Sequence, residues 1–140
     1  MYHIIFVNLI SLLGLSGFLL ASYIYSKKKT KKKLICPMRS NCDTVIHSDY
    51  SKILGIPVEI LGMIYYAIVG CVYSIVFIID MWSFSIAMIL LGISFCAVLF
   101  SVYLISIQAF VVKHWCTWCL CSAFISILIA GLSYLHYLWY

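Results

Sequence analysis

The sequence predicts an all-α integral membrane protein: a bundle of four spanning helices, with a short amphipathic surface helix in its first loop. Three observations lead there. Of 140 residues, 66% are hydrophobic and only 9% charged. The mean hydropathy is +1.14. The apolar residues form four long blocks separated by the few charges. A soluble domain is about half apolar and about a quarter charged, so a water-soluble domain is excluded. Disorder needs the opposite balance. The seven cysteines are the other unusual number, and they frame the functional question.

A spanning helix needs roughly 20 mostly apolar residues. The first block gives a helix over about 4–25. Secretory signals carry positive charge before their apolar run. Here Met1-Tyr2-His3 has none and the lysines follow, so this helix is expected to be retained. The long loop 26–57 comes next, opening with Lys27-Lys28-Lys29-Thr30-Lys31-Lys32-Lys33. Between Cys42 and Leu54, Val45, Ile46, Tyr50, Ile53 and Leu54 recur at helical spacing, with Asp43, Asp49 and Lys52 between them. That pattern predicts the surface helix. Gly55-Ile56-Pro57 breaks it, and Pro57 suits the first turn of the next helix.

The second helix is expected over 58–79, with Glu59 complementing its N-terminal dipole. The third is expected over 83–108, within an uncharged stretch from Met81 to Val112. The fourth is expected over 115–137. The whole chain, 1–140, reads as one transmembrane domain.

The cysteines fall into two pairs and three singles. Cys36 and Cys42 lie in the long loop. Cys116 and Cys119 form a Cys-Thr-Trp-Cys motif opening the fourth helix. Two helices separate the pairs, so both pairs face the same side of the membrane. Residues i and i+3 share a helix face. Thiols there can close a disulfide, and a helix N-terminus stabilises a thiolate. Lys113 and His114 could add positive charge, although an interfacial lysine commonly just snorkels. Cys71, Cys96 and Cys121 read as packing residues, because free cysteine behaves as a small hydrophobe. The abundant Tyr and Trp suit membrane interfaces. A thiolate metal site for zinc or copper, using Cys116, Cys119 and Cys121 with a loop cysteine, is the competing reading. The lysine run lacks the stacking groups of a nucleic-acid face, so no nucleic-acid partner is expected.

The motifs together are more specific. Cys36-x5-Cys42-x2-Val45-x2-Ser48-x-Tyr50-Ser51-x3-Gly55-Ile56-Pro57-x4-Gly62, then Tyr65-Tyr66, then Cys116-x2-Cys119, resembles the vitamin K epoxide reductase family in its bacterial form. The resemblance covers about residues 34–125. It implies a four-helix bundle around a quinone (ubiquinone, menaquinone or similar) that accepts electrons from a thioredoxin-like protein and so generates disulfides. In that scheme Cys36 exchanges with the partner, Cys42 exchanges with Cys116, and Cys119 faces the quinone with Ser48 nearby. The DsbB-type oxidases have their CxxC in the earlier loop, so the order here argues against them. Bacterial members often carry a fused thioredoxin-like domain. None follows Tyr140, so the partner is expected as a separate chain. Animal members place a tyrosine where this chain has Ala123, which favours thiol oxidation over epoxide reduction.

Sidedness is in conflict. All nine basic residues lie on the cysteine side, and the positive-inside rule would place that side in the cytoplasm. Disulfide chemistry belongs in oxidising compartments. The expectation is an inner-membrane protein with an extracytoplasmic site.

Overall fold

The computed structural model describes residues 1–30, 52–53, 55–113 and 115–139. Four long helices dominate: α1 (Tyr2–Lys29), α2 (Val58–Ile79), α3 (Phe84–Ile107) and α4 (Thr117–Trp139). Each is long and apolar enough to cross a membrane. The chain is a multi-pass membrane protein with an all-α bundle. Its polar backbone groups are satisfied inside each helix, which the hydrocarbon requires.

The predicted surface helix over 42–54 falls mostly outside the described residues. Where description resumes, its last part is not helical. Two two-residue strands, β1 (Lys52–Ile53) and β2 (Ile56–Pro57), pair antiparallel with Ile53 opposite Ile56. Gly55, at φ +81°, allows this tight reversal, because a residue without Cβ tolerates the left-handed region. The glycine that was expected to end a helix instead turns a hairpin.

The connections from α2 to α3 and from α3 to α4 are short and locally determined. α2 ends where Asp80 adopts a left-handed conformation, φ 54°. Ser83 then caps α3, its Oγ accepting the Ile86 N–H at 3.3 Å. At its far end α3 does not stop but widens into a π-helical turn over Gln108–Val112. Lys113, left-handed at φ 57°, ends that turn.

Packing runs α2 on α1, α1 on α4, and α4 on α3, while α2 and α3 touch little along their lengths. The core is small: Val7, Ile10 and Ala21 of α1, Tyr66, Val69 and Tyr73 of α2, Leu90 of α3 and Ile129 of α4. Most other large apolar side chains are exposed on the outside of the bundle. In water this would be a fault. In a bilayer it is the lipid-facing surface, and what holds the helices together is close packing and interhelical hydrogen bonds.

Both kinds of contact are visible. Gly14 lets α1 approach the Gly70 backbone, since a Cβ there would lie 3.2 Å from the Gly70 Cα. Gly17 makes room for the Tyr66 ring. The Tyr66 hydroxyl reaches α4, donating to the Ser122 carbonyl at 2.7 Å and sharing hydrogen bonds with the Ser122 and Ser126 hydroxyls, both at 2.9 Å. About two turns deeper, the Tyr73 hydroxyl donates to Ser133 Oγ at 2.9 Å. Beyond it His136, 2% exposed, is enclosed by Trp82 and His3, with ring centroids 4.5 and 4.6 Å away. This aromatic end lies opposite the cysteine end.

Candidate functional site

The other end gathers the last turn of α1, the first turn of α2, the π turn after α3 and the start of α4. Lys28 Nζ and Glu59 Oε2 are 3.2 Å apart, and both side chains are about nine-tenths covered. This ion pair joins the two edges of the long loop. Glu59 was expected only to complement the helix dipole. It also lines the cavity described below.

Cys116 sits at the N-cap of α4. Its carbonyl accepts the Leu120 N–H at 3.0 Å, and its Sγ accepts the Cys119 N–H at 3.4 Å. The sulfur thus takes the place that a serine or aspartate oxygen occupies in ordinary capping. Cys116 is fully buried, and its own N–H donates to Gln108 Oε1 at 3.2 Å. The Cys119 thiol hydrogen-bonded to it pulls the Cys116 thiol below its ordinary pKa. The backbone N–H groups of Cys119 and Trp118 act in the same direction, and burial opposes them. A thiolate at this position is therefore the favoured partner of the pair. The i, i+3 spacing of the motif brings the two sulfurs together, as the sequence suggests. Both are free thiols.

Cys119 lines a cavity of about 370 Å³ bounded by all four helices. It occupies the space where α2 and α3 fail to close. Its walls are mainly apolar: Ala21 and Ile24 from α1, Leu61 and Gly62 from α2, Ile93, Phe100 and Leu104 from α3, and Ala123 from α4. Polar groups gather at the cysteine end, where Glu59, Gln108 and Cys119 meet it. Tyr65 also lines the cavity, its hydroxyl donating to Ser94 Oγ at 3.4 Å. Small-molecule sites are concave, mostly apolar and about 300–1,000 Å³, with a few placed polar groups. This cavity matches that description, and a quinone ring with an apolar tail fits its chemistry.

The other predicted residues divide clearly. Cys36, Cys42 and Ser48 lie outside the described residues, as does His114. Lys113 is exposed. Cys71, Cys96 and Cys121 are exposed on the bundle rather than packed within it, and Cys96 lies on the cavity wall. Hydropathy cannot separate these two fates, because lipid is as apolar as a core. Among the described residues no three metal-ligating side chains converge. Gln108 was missed from sequence. Its signal was available: it is the one carboxamide between Met81 and Val112.

The model of the vitamin K epoxide reductase family matches residues 8–134, nearly the whole chain. The chain belongs to the vitamin K epoxide reductase family. It is accordingly an oxidoreductase of the membrane. No curated protein matches it at a significant level.

Proposed function

We propose that the chain is a quinone-dependent thiol oxidase that generates disulfides. The observation that carries this reading is the placement of the CxxC pair: Cys116 caps the helix at the loop end, and Cys119 lines the apolar cavity. One thiol is placed for exchange with other thiols, and the next is placed against a lipid-soluble acceptor.

The roles follow. Cys36 exchanges with a reduced thioredoxin-like protein supplied as a separate chain. Cys42 passes the resulting pair of electrons to the Cys116–Cys119 disulfide. Exchange proceeds by thiolate attack on a disulfide sulfur through a mixed disulfide, and the lowered Cys116 thiol is the better thiolate and the better leaving group. Ser48 acts near the quinone-facing end, a role that the family resemblance supports. The quinone, when bound, accepts two electrons and two protons and leaves as the quinol. The balance is closed by the chain: two thiols become one disulfide and release two electrons and two protons. The apolar walls exclude water, and among the described residues Glu59, held by Lys28, is the carboxylate that lines the cavity and can take up released protons. Ala123 brings no hydroxyl to the cavity wall, which supports thiol oxidation over epoxide reduction.

In this reading the protein resides in the inner membrane with its cysteine end extracytoplasmic. The test is reconstitution. Purified chain, given a reduced thioredoxin-like protein and a decyl-tailed benzoquinone, should reduce the quinone while oxidising the partner. Cys116→Ser and Cys119→Ser should each abolish this. Full activity in Cys119→Ser would refute the assigned roles. Turnover of vitamin K epoxide with a dithiol, at a rate matching quinone reduction, would restore the epoxide reading.

A further inference from the structure

Gln108 belongs to neither cysteine pair, yet it touches Cys116 and lines the cavity that also holds Cys119. A buried carboxamide in a membrane helix is expensive unless its polar atoms are used. Gln108 is 4% exposed. Its Oε1 accepts the Cys116 N–H at 3.2 Å. Only the oxygen can accept from an N–H, so this bond fixes which end of the carboxamide faces Cys116. The two Nε2 donors are directed elsewhere. Among the described residues no acceptor meets them, and Gln108 lies on the wall that also holds Cys119.

The local backbone explains how one side chain reaches both. A regular α-helix would carry α3 onward past Val112. Instead Gln108 begins a π turn, and Lys113 reverses the chain at φ 57°. Cys116 is thereby folded back onto a residue eight positions earlier. Single π turns recur at functional sites.

We propose that Gln108 is the hydrogen-bond donor for a quinone carbonyl oxygen and ties that oxygen to the position of Cys116. The inference rests on the quinone reading above and adds a specificity-determining residue to it. Ser101, two turns back on α3, also brings a hydroxyl to the cavity wall and is the rival donor, whereas the polar groups nearer the cysteines are poor donors. Glu59 is an acceptor engaged by Lys28. The Tyr66 hydroxyl is committed to Ser122 and Ser126. Tyr65 donates to Ser94. The bond from Cys116 N–H into Oε1 also polarises the amide and strengthens its N–H donors. A carbonyl in the cavity and an N-capping cysteine at its rim are then read by the two ends of one group.

The test uses a decyl-tailed benzoquinone labelled with carbon-13 at its carbonyls. It is bound to the detergent-solubilised chain in a Cys119→Ala background, which stops electron transfer and removes the thiol. Infrared spectra should show a carbonyl band displaced to lower frequency. In Gln108→Met that displacement is lost and binding weakens about fivefold, the net worth of one ordinary hydrogen bond. Gln108→Glu, assayed at alkaline pH, retains an oxygen for the Cys116 N–H and removes both donors. It should lose the same displacement, so the result stands if the Met variant fails to fold. A displacement unchanged in both variants overturns the proposal and leaves Gln108 a mere anchor for Cys116. So does a displacement that persists in Gln108→Met and vanishes in Ser101→Ala, two turns back on α3. The underlying reading fails separately: it falls if the unaltered chain, given dithiothreitol, reduces no quinone at all.

Discussion

Gly17→Ala should be among the most damaging small substitutions in the bundle. A Cβ on Gly17 would lie 2.4 Å from Tyr66 Cε1, 2.5 Å from Cδ1 and 2.6 Å from Cζ. Something must move, and the ring has little freedom. Tyr66 is 1% exposed, and its hydroxyl is held by Ser122 and Ser126 of α4. Overpacking a core by a methyl costs about 1–3 kcal/mol. If the ring shifts, one of its hydrogen bonds is lost as well, at about 1 kcal/mol. The expected destabilisation is therefore about 2–4 kcal/mol, read as a lowered unfolding midpoint in detergent. Gly92→Ala on α3 is the control. Its Cβ would meet nothing within 4 Å, and alanine is the better helix former by up to about 1 kcal/mol. Tyr66→Leu should relieve most of the Gly17→Ala penalty, so a double-mutant cycle should be strongly non-additive. The same cycle bears on function, because Tyr66 fastens to α4 one and two turns below Cys119. If Gly17→Ala and Gly92→Ala unfold within about 0.5 kcal/mol of each other, the claim that Tyr66 is pinned is wrong.

Three further outcomes follow. The Cys116 shift is downward, so its thiolate adds stability that is fully present above the ordinary thiol range and is lost as pH falls through the lowered folded value. Iodoacetamide labelling of Cys116, followed by peptide mass spectrometry, should accordingly begin at a lower pH than for a free thiol. Cys119→Ala should move that onset upward, and an unmoved onset would show that Cys119 does not set it. Lys28→Met removes the partner of a nearly buried carboxylate, a change that costs about 3 kcal/mol in comparable pairs. Lys28→Met with Glu59→Gln should recover most of the loss, and an equal loss in single and double variants would deny the pairing. Finally, a membrane-impermeant amine reagent applied to intact cells should modify Lys27–Lys33. Protection of those lysines would place the cysteine end in the cytoplasm and side with the positive-inside rule.

The four helices were legible because hydrocarbon demands long uncharged runs, and charges interrupt this chain only between the helices or in their end turns. The start of α2 at Val58, just after Pro57, was legible for a different reason, since proline marks a helix entry. The hairpin through Gly55 was not. Ile53 and Leu54 fit a helical period as well as a strand, and two strand residues are too few to establish alternation. The π turn at Gln108 was hidden inside an apolar stretch whose hydropathy is indifferent to helix type. The exposed positions of Cys71, Cys96 and Cys121 were hidden for the reason that makes membrane proteins readable at all: inside and outside are equally apolar. Of the site itself, the Cys116–Cys119 pairing follows from helix geometry, whereas the cavity is a tertiary product. It exists because α2 and α3 each pack on α1 or α4 rather than on each other, and no local pattern announces that.

The depth difference within the CxxC motif explains why this spacing suits a membrane oxidase. Three residues of helix rise about 4.5 Å, so Cys119 lies that far beyond the N-cap while still on the face of Cys116. An N-cap sulfur receives helix amide hydrogen bonds and is favoured as a thiolate. A sulfur one turn inward has apolar walls around it and meets a lipid-soluble acceptor. A disulfide between them joins two environments that no single thiol could occupy.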